Sequence, residues 1–205
     1  MDSIRVEYDR LANTVSDIYE HLPTLRKYAS ECDSAVELGV RKCVSSWALA
    51  LGLLENGTRP KRLYMNDINI CNTQAIEEAL KDTNLTITTI WKSNLELKLD
   101  APVDLTFIDT WHVYGQLKRE LSKFAPITKK YIIMHDTTVD EWDGETKRNI
   151  HKYDVKKQSE ESGIPVDEIL KGLWPAIEEF LAANSDWVLH ERFTNNNGLT
   201  ILKRV

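Results

Sequence analysis

The chain has 205 residues, a formal net charge of −6, and hydrophobic and charged fractions of 42% and 28%. This length is enough to bury the core of one domain. A net acidic chain without a basic block is poorly suited to binding nucleic acid through phosphate contacts, and no apolar run approaches the roughly 20 residues that span a membrane. The N-terminus is too polar for a secretory signal, and three isolated cysteines suit a reducing compartment, so we expect a cytoplasmic protein.

Strand and helix patterns alternate along the chain. Short runs rich in apolar or β-branched residues predict strands, and apolar residues at helical spacing predict helices. The predicted strands are 34–38, 62–67, 85–91, 103–109, 130–136, 187–193 and 199–205. The predicted helices are about 4–19, a short one after Pro23, one that is capped by Ser45 or Ser46 and stops at Asn56-Gly57, then 73–81, 114–124 and 173–183. This alternation predicts an α/β fold, with a mostly parallel seven-stranded sheet and helices on both faces.

The last part of the chain departs from this alternation. Asn195-Asn-Asn-Gly198 lies between the last two strands and is typical of a hairpin turn, so the sheet ends in an antiparallel hairpin. We expect one domain over 1–205, with N-terminal helices at 1–31, a sheet core at 34–136 and a C-terminal helix and hairpin at 173–205. The polar stretch 137–172 is too long for a simple connection, which favours either a lid over a substrate or a disordered insertion.

Polar side chains lie at or just after the carboxyl end of each of the five predicted parallel strands. In such sheets ligands bind beyond the carboxyl ends of the strands. A single polar strand end is commonly a solvated cap, but five at one edge favour a binding site. In strand order they are Glu37 with Gly39, Asp67, Ser93 with Asn94, Asp109 with His112, and His135 with Asp136.

Three of these residues suggest what the edge could bind. Glu37 ends a buried strand, where a carboxylate needs a partner or a function. Gly39 allows a ligand to approach the backbone closely. Asp67 could accept hydrogen bonds from the two hydroxyls of a ribose.

Several of these motifs resemble those of class I S-adenosylmethionine-dependent methyltransferases. They are Glu37-Leu-Gly39, Asp67, Phe107-Ile-Asp109-Thr-Trp-His112 and Ile133-Met-His-Asp136-Thr. The resemblance is closest to the small-molecule and sugar O-methyltransferase branch, whose fourth strand ends in Phe-Ile-Asp-x-x-His. It covers 34–136 and returns near Trp174 and in the last hairpin.

Related domains are found attached to glycosyltransferases in glycan-building proteins, including viral ones. The resemblance therefore implies that the acceptor is a sugar hydroxyl, for example on a deoxyhexose such as rhamnose within a glycan. It also implies a place within a larger glycosyltransferase polypeptide, and the host cytoplasm if the protein is viral.

The resemblance assigns a set of residues to S-adenosylmethionine. Glu37 and Gly39 match the loop that holds the methionine part, Asp67 matches the ribose-binding acid, and Ser93 and Asn94 fall where the family lines the adenine pocket. The complete set is Glu37, Gly39, Ser45, Asp67, Ser93, Asn94 and Asp109. The chain departs from the family at Cys43, where a further glycine is usual.

The resemblance also implies a metal site. Asp109 and Asp136 match two acids that bind Mg²⁺ in the metal-dependent members. Those members carry a third Asp or Asn directly after the second acid, and this chain has Thr137 there. Asp140 or Glu141 could substitute for it, or the site could hold no metal. Two converging carboxylates do suit a hard cation such as Mg²⁺.

His112 is the best candidate for the general base. A sugar hydroxyl is a weak acid, and an imidazole titrates near neutral pH. His112 comes three residues after Asp109, just past the strand. His135 is the rival, but its place within a strand favours a structural role. We therefore assign catalysis to His112 and Asp109.

Other readings stay open. A non-catalytic S-adenosylmethionine-binding domain would explain Thr137 and Cys43, and a catechol-like or other small hydroxyl could replace the sugar. A nicotinamide-dependent oxidoreductase is disfavoured, because the first strand leads to Glu-Leu-Gly instead of a triple-glycine loop. We expect a small-molecule or glycan acceptor, with neither nucleic acid nor membrane as partner. The N-terminal helices could cover the site or form a homodimer.

Overall fold

The computed structural model describes residues 2–205, so Met1, which belongs to the predicted N-terminal helices, lies outside the described residues. The strands are β1 (Ser34–Leu38), β2 (Lys61–Asp67), β3 (Leu85–Trp91), β4 (Val103–Ile108), β5 (Thr128–His135), β6 (Trp187–Phe193) and β7 (Leu199–Arg204). The bounds of β1, β3 and β6 are as predicted, and the other strands differ by one or two residues at an end.

The α-helices are α1 (Asp2–Ala12), α2 (Leu22–Ala29), α3 (Val44–Glu55), α4 (Gln74–Leu80), α5 (Tyr114–Phe124), α6 (Glu145–Arg148), α7 (Val155–Ser162), α8 (Val166–Leu170) and α9 (Trp174–Ala183). Short 3₁₀ turns lie at Tyr19–His21, Asn94–Glu96, Ala125–Ile127 and Ile150–Lys152. Over residues 2–205, no helix has the length and apolar character needed to cross a bilayer.

Within residues 2–205 the strands form one seven-stranded sheet in the order β3-β2-β1-β4-β5-β7-β6. The five strands from β3 to β5 are parallel, and β7 pairs antiparallel with both β5 and β6. The predicted α/β fold with a terminal hairpin is therefore confirmed. The chain runs outward from β1 in one direction and from β4 in the other, so the strand order reverses between them. A crevice forms at such a point, beyond the strands' carboxyl ends.

Hydrophobic clusters cover both faces of the sheet. Helices α1 to α4 pack on one face, and α5 and α9 pack on the other. Successive residues of β1 alternate between the two faces: Ala35 belongs to the first cluster, and Val36 and Leu38 belong to the second. This alternation turns the intervening Glu37 toward α3, where it meets helix residues instead of water.

The first helix is shorter than predicted. It ends at Ala12 instead of Tyr19, because the side chain of Asn13 donates to the carbonyl of Asp9 and begins a turn. Val15, which lies within the predicted helix, is 83% exposed. The helix therefore does not continue past Ala12, although Ile18 joins the core from the segment that follows.

The predicted cap of α3 is also wrong. The N-cap residue is Cys43, which has a left-handed backbone with φ of 60° and makes no side-chain capping bond. Glycine is the residue that adopts this conformation most easily, which gives a physical reason for the family's glycine at this position. Ser45 and Ser46 instead donate their hydroxyls to Glu37.

The polar stretch 137–172 is folded, so the structure does not show a disordered insertion. It contains α6, α7 and α8, and Ile164 and Ile169 pack there against Val113. An isolated β-bridge joins Asp143 to Lys171 and closes the stretch near its ends. Whether the stretch acts as a lid stays a prediction.

Gly39 makes the close contact between β1 and β4 possible. Its φ is +92°, and a Cβ there would lie 1.9 Å from the carbonyl oxygen of Asp109. Gly57 provides a matched comparison, since its φ is +77° but an added Cβ would have no neighbour within 4 Å among residues 2–205.

We expect Gly39→Ala to lower the free energy of unfolding by roughly 3 kcal/mol or more, because backbone strain and a clash with backbone add together. Gly57→Ala adds strain alone and should cost about 1 kcal/mol. Urea denaturation of both variants measures the difference. Equal losses would contradict a packing requirement at Gly39.

Candidate functional site

Glu37 is fully buried at the end of β1 and has two hydroxyl partners. Ser45 Oγ donates to its Oε1 over 2.5 Å, and Ser46 Oγ donates to its Oε2 over 2.6 Å. Burial raises the pKa of Glu37 to about 7, the two hydrogen bonds oppose that rise, and the charges of Asp109 and Asp67 add to it. The carboxylate therefore lacks a positive neighbour that would favour its charged form.

Asp67 supports the loop that follows β1. Its Oδ2 accepts hydrogen bonds from the backbone N–H groups of Val40 and Arg41, both over 3.0 Å. Its Oδ1 accepts from Asn69 N over 2.9 Å. A carboxylate has about four acceptor positions, so one position on Oδ1 is left for a ligand hydroxyl.

One of the two residues predicted to line the adenine pocket is hydrogen-bonded to a buried acid, Glu120. Ser93 is half-buried, and Asn94 is buried, with its Nδ2 donating to Glu120 Oε1 over 2.5 Å. Thr110 and Gln116 donate to the same oxygen over 2.6 and 2.7 Å. The hydrogen bond to Glu120 thus fixes the side chain of Asn94.

The sequence reading did not single out Glu120. Its spacing from Leu117 and Phe124 is the signal that could have found it, since three and four residues along a helix lie on one face. The side chain is 1% exposed, and burial raises the pKa of Glu120 although its hydrogen bonds oppose the shift.

The structure brings the predicted base and metal ligands together. His112 Nε2 lies 3.1 Å from Asp109 Oδ1, and His112 Nδ1 lies 3.1 Å from Asp136 Oδ2. One ligand atom from each of the three residues falls within 4.8 Å of the others. We call Asp109, His112 and Asp136 the edge cluster, because they follow β4 and β5 at the carboxyl edge of the sheet.

His135 lies against the edge cluster from within β5. Its Nδ1 is 3.4 Å from Asp109 Oδ1 and 3.5 Å from Asp136 Oδ2, and the side chain is 1% exposed. Its Nε2 lies 3.2 Å from the carbonyl oxygen of Asn196. This enclosed position between two acids fits the structural role expected for His135.

Two acids from the stretch 137–172 also lie beside Nδ1 of His112. Asp140 Oδ2 and Glu145 Oε2 lie 3.5 and 3.6 Å from His112 Nδ1. Asp140 is buried, and both its oxygens accept hydrogen bonds from Arg148, over 2.7 and 3.0 Å. The sequence reading missed Glu145, since its place near the cluster depends on how the stretch folds.

The other substitute considered for a third metal ligand, Glu141, makes its ion pair elsewhere. Glu141 pairs with Arg192 at 2.8 Å. Thr137, at the position where the sequence resemblance leads one to expect a third metal ligand, accepts a hydrogen bond from Thr200 over 2.8 Å. Of the two acids that the sequence suggested, Asp140 is therefore the one beside the edge cluster.

Attraction between the carboxylates and the imidazoles shifts the pKa values of the residues in and beside the edge cluster. Burial disfavours a charged Asp109, but hydrogen bonds from His112 and His135 outweigh it and hold the pKa of this carboxyl well below its usual range. Burial likewise lowers the pKa of both imidazoles, and the carboxylates outweigh it, raising the pKa of His112 to about 9 and that of His135 to about 10.

Asp136 has two features of a residue placed for a ligand. Its φ is +57°, which is unusual for a non-glycine residue and turns the carboxylate at the strand end. Its buried Oδ1 has no hydrogen-bond partner among residues 2–205. An unpartnered buried carboxylate oxygen costs free energy, so these residues fit a bound cation.

The N-terminal segment reaches the same edge through the last hairpin turn. His21 Nε2 lies 2.9 Å from the carbonyl oxygen of Asn195, and Asn196 Nδ2 donates to the carbonyl of Ser16 over 3.0 Å. Arg41, in the loop after β1, forms an ion pair with Asp17 at 3.0 Å. Residues 13–21 thus connect the β1 loop to the turn beside His135.

Comparison with solved structures identifies the fold. TomG from Streptomyces achromogenes, an O-methyltransferase in complex with SAM, matches with a TM-score of 0.62 at 13% identity over 97% of this chain and 89% of that one. The O-methyltransferase from Bacillus cereus in complex with SAH matches with a TM-score of 0.60 at 15% identity, over 100% and 91%. The SAH-bound methyltransferase PaMTH1 from Podospora anserina gives 0.57 at 10% identity, over 100% and 88%.

The fold is that of the class I methyltransferases. A scan of protein-family models and a sequence search of curated proteins both give no match. The methyltransferase fold predicted from the sequence is confirmed, and at these identities the likeness shows the fold alone. The roles of the site residues stay predictions.

Glu37 provides a test of the burial of the site. Because its pKa in the folded protein, about 7, lies above the ordinary value of 4.5, its stabilising effect is complete below about pH 4.5 and is lost as the pH rises through about 7. Glu37→Gln cannot ionise. We expect the variant to gain roughly 3 kcal/mol of unfolding free energy relative to the wild type between pH 4.5 and pH 8.

Urea denaturation at both pH values measures this difference. Glu160→Gln removes a charge at an exposed position and serves as the control. A constant difference between wild type and Glu37→Gln would show that Glu37 ionises normally in the folded protein.

Proposed function

We propose that the protein is an S-adenosylmethionine-dependent O-methyltransferase that methylates a hydroxyl of a sugar, for example of a deoxyhexose in a glycan. The observation that carries the proposal is the edge cluster: Asp109, His112 and Asp136 meet beyond β4 and β5 in a methyltransferase fold. An imidazole with two carboxylates beside it can take the proton of a hydroxyl acceptor.

The carboxyl edge suits the charge of the cofactor. The sulfonium and ammonium groups of S-adenosylmethionine are cationic, and Glu37 lacks a positive neighbour while Asp67 keeps one free acceptor position. Glu37 would hold the methionine part beside Gly39, and Asp67 would accept from the ribose. The cofactor supplies a methyl group that is already activated, so the protein must align the acceptor and remove one proton.

His112 is the group that would take this proton. Asp109 Oδ1 lies 3.1 Å from Nε2 and Asp136 Oδ2 lies 3.1 Å from Nδ1, so a carboxylate would stabilise the imidazolium that forms when the ring takes the proton. In the cation-free protein the carboxylates keep the pKa of His112 at about 9, so the neutral ring that acts as a base becomes more abundant as the pH rises. Methyl transfer should therefore be faster at alkaline pH.

A divalent cation such as Mg²⁺ fits the same edge. Asp109 and Asp136 would hold it, since Asp136 Oδ1 is buried and has no partner in the described part of the chain. Bound there, such a cation would lower the pKa of a nearby acceptor hydroxyl.

The stretch 137–172 offers a surface for the acceptor. Asp140 and Glu145 both reach His112, and between them Trp142 is 58% exposed. An exposed indole can pack against the apolar face of a sugar ring, and Glu145, which is partly exposed, could accept from its hydroxyls. A small hydroxyl-bearing molecule, catechol-like or otherwise, is the second candidate acceptor, since the similar protein TomG is described as involved in tomaymycin synthesis.

We expect His112→Ala to lower kcat by about 100-fold or more, because general-base catalysis contributes at least this factor. Affinity for S-adenosylhomocysteine should stay within about twofold, since His112 does not belong to the predicted cofactor residues. Radiolabelled methyl transfer and calorimetry measure the two quantities. His190→Ala, on the exposed edge strand β6, is the control.

Unchanged turnover in His112→Ala would remove this residue from the mechanism. A wild-type protein that binds S-adenosylhomocysteine and methylates none of a panel of sugars and catechols would favour the non-catalytic binding domain. Within the panel, sugars that lack one hydroxyl at a time identify the position that is methylated.

Full activity in excess EDTA would contradict a cation requirement. We expect EDTA to lower the rate and added divalent cation to restore it, because a bound cation would lower the pKa of the acceptor hydroxyl. The measurement uses the same methyl-transfer assay at a fixed pH.

A further inference from the structure

The edge cluster differs from an all-oxygen magnesium site in one respect. Thr137 turns toward Thr200, so the position directly after Asp136 contributes no oxygen ligand to the cluster. The third member of the cluster is instead the imidazole of His112. Its Nε2 lies 3.1 Å from Asp109, and its Nδ1 lies 3.1 Å from Asp136. The cluster thus offers two carboxylates and one nitrogen donor.

We infer that the edge cluster is a mixed nitrogen and oxygen site, with His112 as a ligand, for a divalent transition metal of the Fe²⁺, Co²⁺, Ni²⁺ or Zn²⁺ series in preference to Mg²⁺. Imidazole is a ligand that these ions favour, whereas Mg²⁺ binds oxygen ligands almost exclusively. This inference concerns the site of the proposed function, but it makes no use of the methyl-transfer reaction.

Two observations besides the acidic character of the cluster point to a bound cation. Asp136 Oδ1 is buried and has no hydrogen-bond partner in residues 2–205, and the side chain is 9% exposed. The left-handed backbone of Asp136, with φ of +57°, directs this carboxylate and does not relax to an ordinary strand conformation. Both costs are offset if the carboxylate binds a cation.

The surroundings of His112 suit a metal ligand. A histidine that binds a metal through one nitrogen usually donates its other N–H to a carboxylate, which fixes the ring. His112 has Asp109 beside Nε2, and Asp140 and Glu145 within 3.6 Å of Nδ1. Whichever nitrogen binds the metal, a carboxylate is in place for the other.

The assignment changes the role of His112 when the cation is bound. A ring nitrogen that coordinates a metal has no free lone pair, so it cannot accept the proton of an acceptor hydroxyl. The role of His112 as a base therefore belongs to the cation-free protein. With the cation bound, its effect on the hydroxyl pKa would replace that of the imidazole.

Calorimetry on the metal-stripped full chain, without cofactor or acceptor, tests the inference with Co²⁺ and Mg²⁺. We expect Co²⁺ to bind at least about tenfold more tightly than Mg²⁺. The Co²⁺ complex should show a hyperfine-shifted imidazole N–H resonance by proton NMR. His112→Ala should remove that resonance and weaken Co²⁺ binding by about tenfold or more, with a smaller effect on Mg²⁺.

Three further variants complete the experiment. His190→Ala should leave cobalt binding unchanged. Asp136→Asn should weaken the binding of both cations, and its fold should persist because asparagine tolerates a positive φ. If circular dichroism shows that His112→Ala does not fold, His112→Asn replaces it in the same binding measurements.

Equal or tighter binding of Mg²⁺, or no Co²⁺ binding up to millimolar concentration, would overturn the inference. It would also be overturned if the imidazole resonance persisted in the His112 variant, since His135 would then be the ligand. Because methyl transfer is not measured, failure of the proposed function would leave these binding results unaffected.

Discussion

The candidate site depends on charge compensation between buried acids and imidazoles at the carboxyl edge of the sheet. Asp109 and Asp136 contact both His112 and His135, so neither carboxylate is buried without a positive partner. Glu37 lies at the same edge with only two hydroxyl partners, and its pKa rises to about 7, whereas that of Asp109 falls. The pKa values of these two carboxyl groups therefore shift in opposite directions, because the imidazoles of His112 and His135 favour the charged form of Asp109 and do not act on Glu37. A cationic ligand at this edge would gain most near Glu37.

The backbone sets this arrangement before any ligand binds. Gly39 lets the chain leaving β1 approach the carbonyl of Asp109, and the N–H of Asp109 donates to the carbonyl of Leu38 over 2.8 Å. The ends of β1 and β4 are thereby joined, which brings Glu37 and Asp109 to the same edge of the sheet. Parallel pairing brings β5 alongside β4, which adds Asp136. The positions of the acids thus follow from strand order and from one glycine.

Much of this could be predicted from the sequence, because the signals are local. The β-branched run of β3 and the apolar runs of β1 and β4 mark strands whatever their neighbours, and the acids that follow them must share one edge in a parallel sheet. The predicted cap at Ser45 was wrong for a non-local reason. The Ser45 hydroxyl donates its hydrogen bond to Glu37, which lies on β1, and not to the N-terminus of its own helix. The predicted end of α1 was wrong because periodicity alone cannot show that Val15 faces solvent.

The residues that sequence reasoning missed reach the site through tertiary structure. Glu145 approaches His112 only because the stretch 137–172 folds back over the edge, and no spacing along the chain encodes that distance. Glu120 has a helical signal, but a lone acid on an apolar face has no evident partner until Asn94 and Thr110 are placed beside it. Charged residues in a long polar stretch look alike in sequence, although one of them contacts the cluster.

Segments outside the sheet contact the titratable groups at the strand ends. Residues 13–21, the stretch 137–172 and the turn at 195–198 all lie over the strand ends, and Asn196 connects the first of them to the last. If these segments opened, water would reach Asp109 and His112, and the attraction between them would weaken as the local dielectric rose. The charge compensation at the strand ends therefore depends on these segments staying in place, since the attraction between the acids and the imidazoles is stronger where water is excluded.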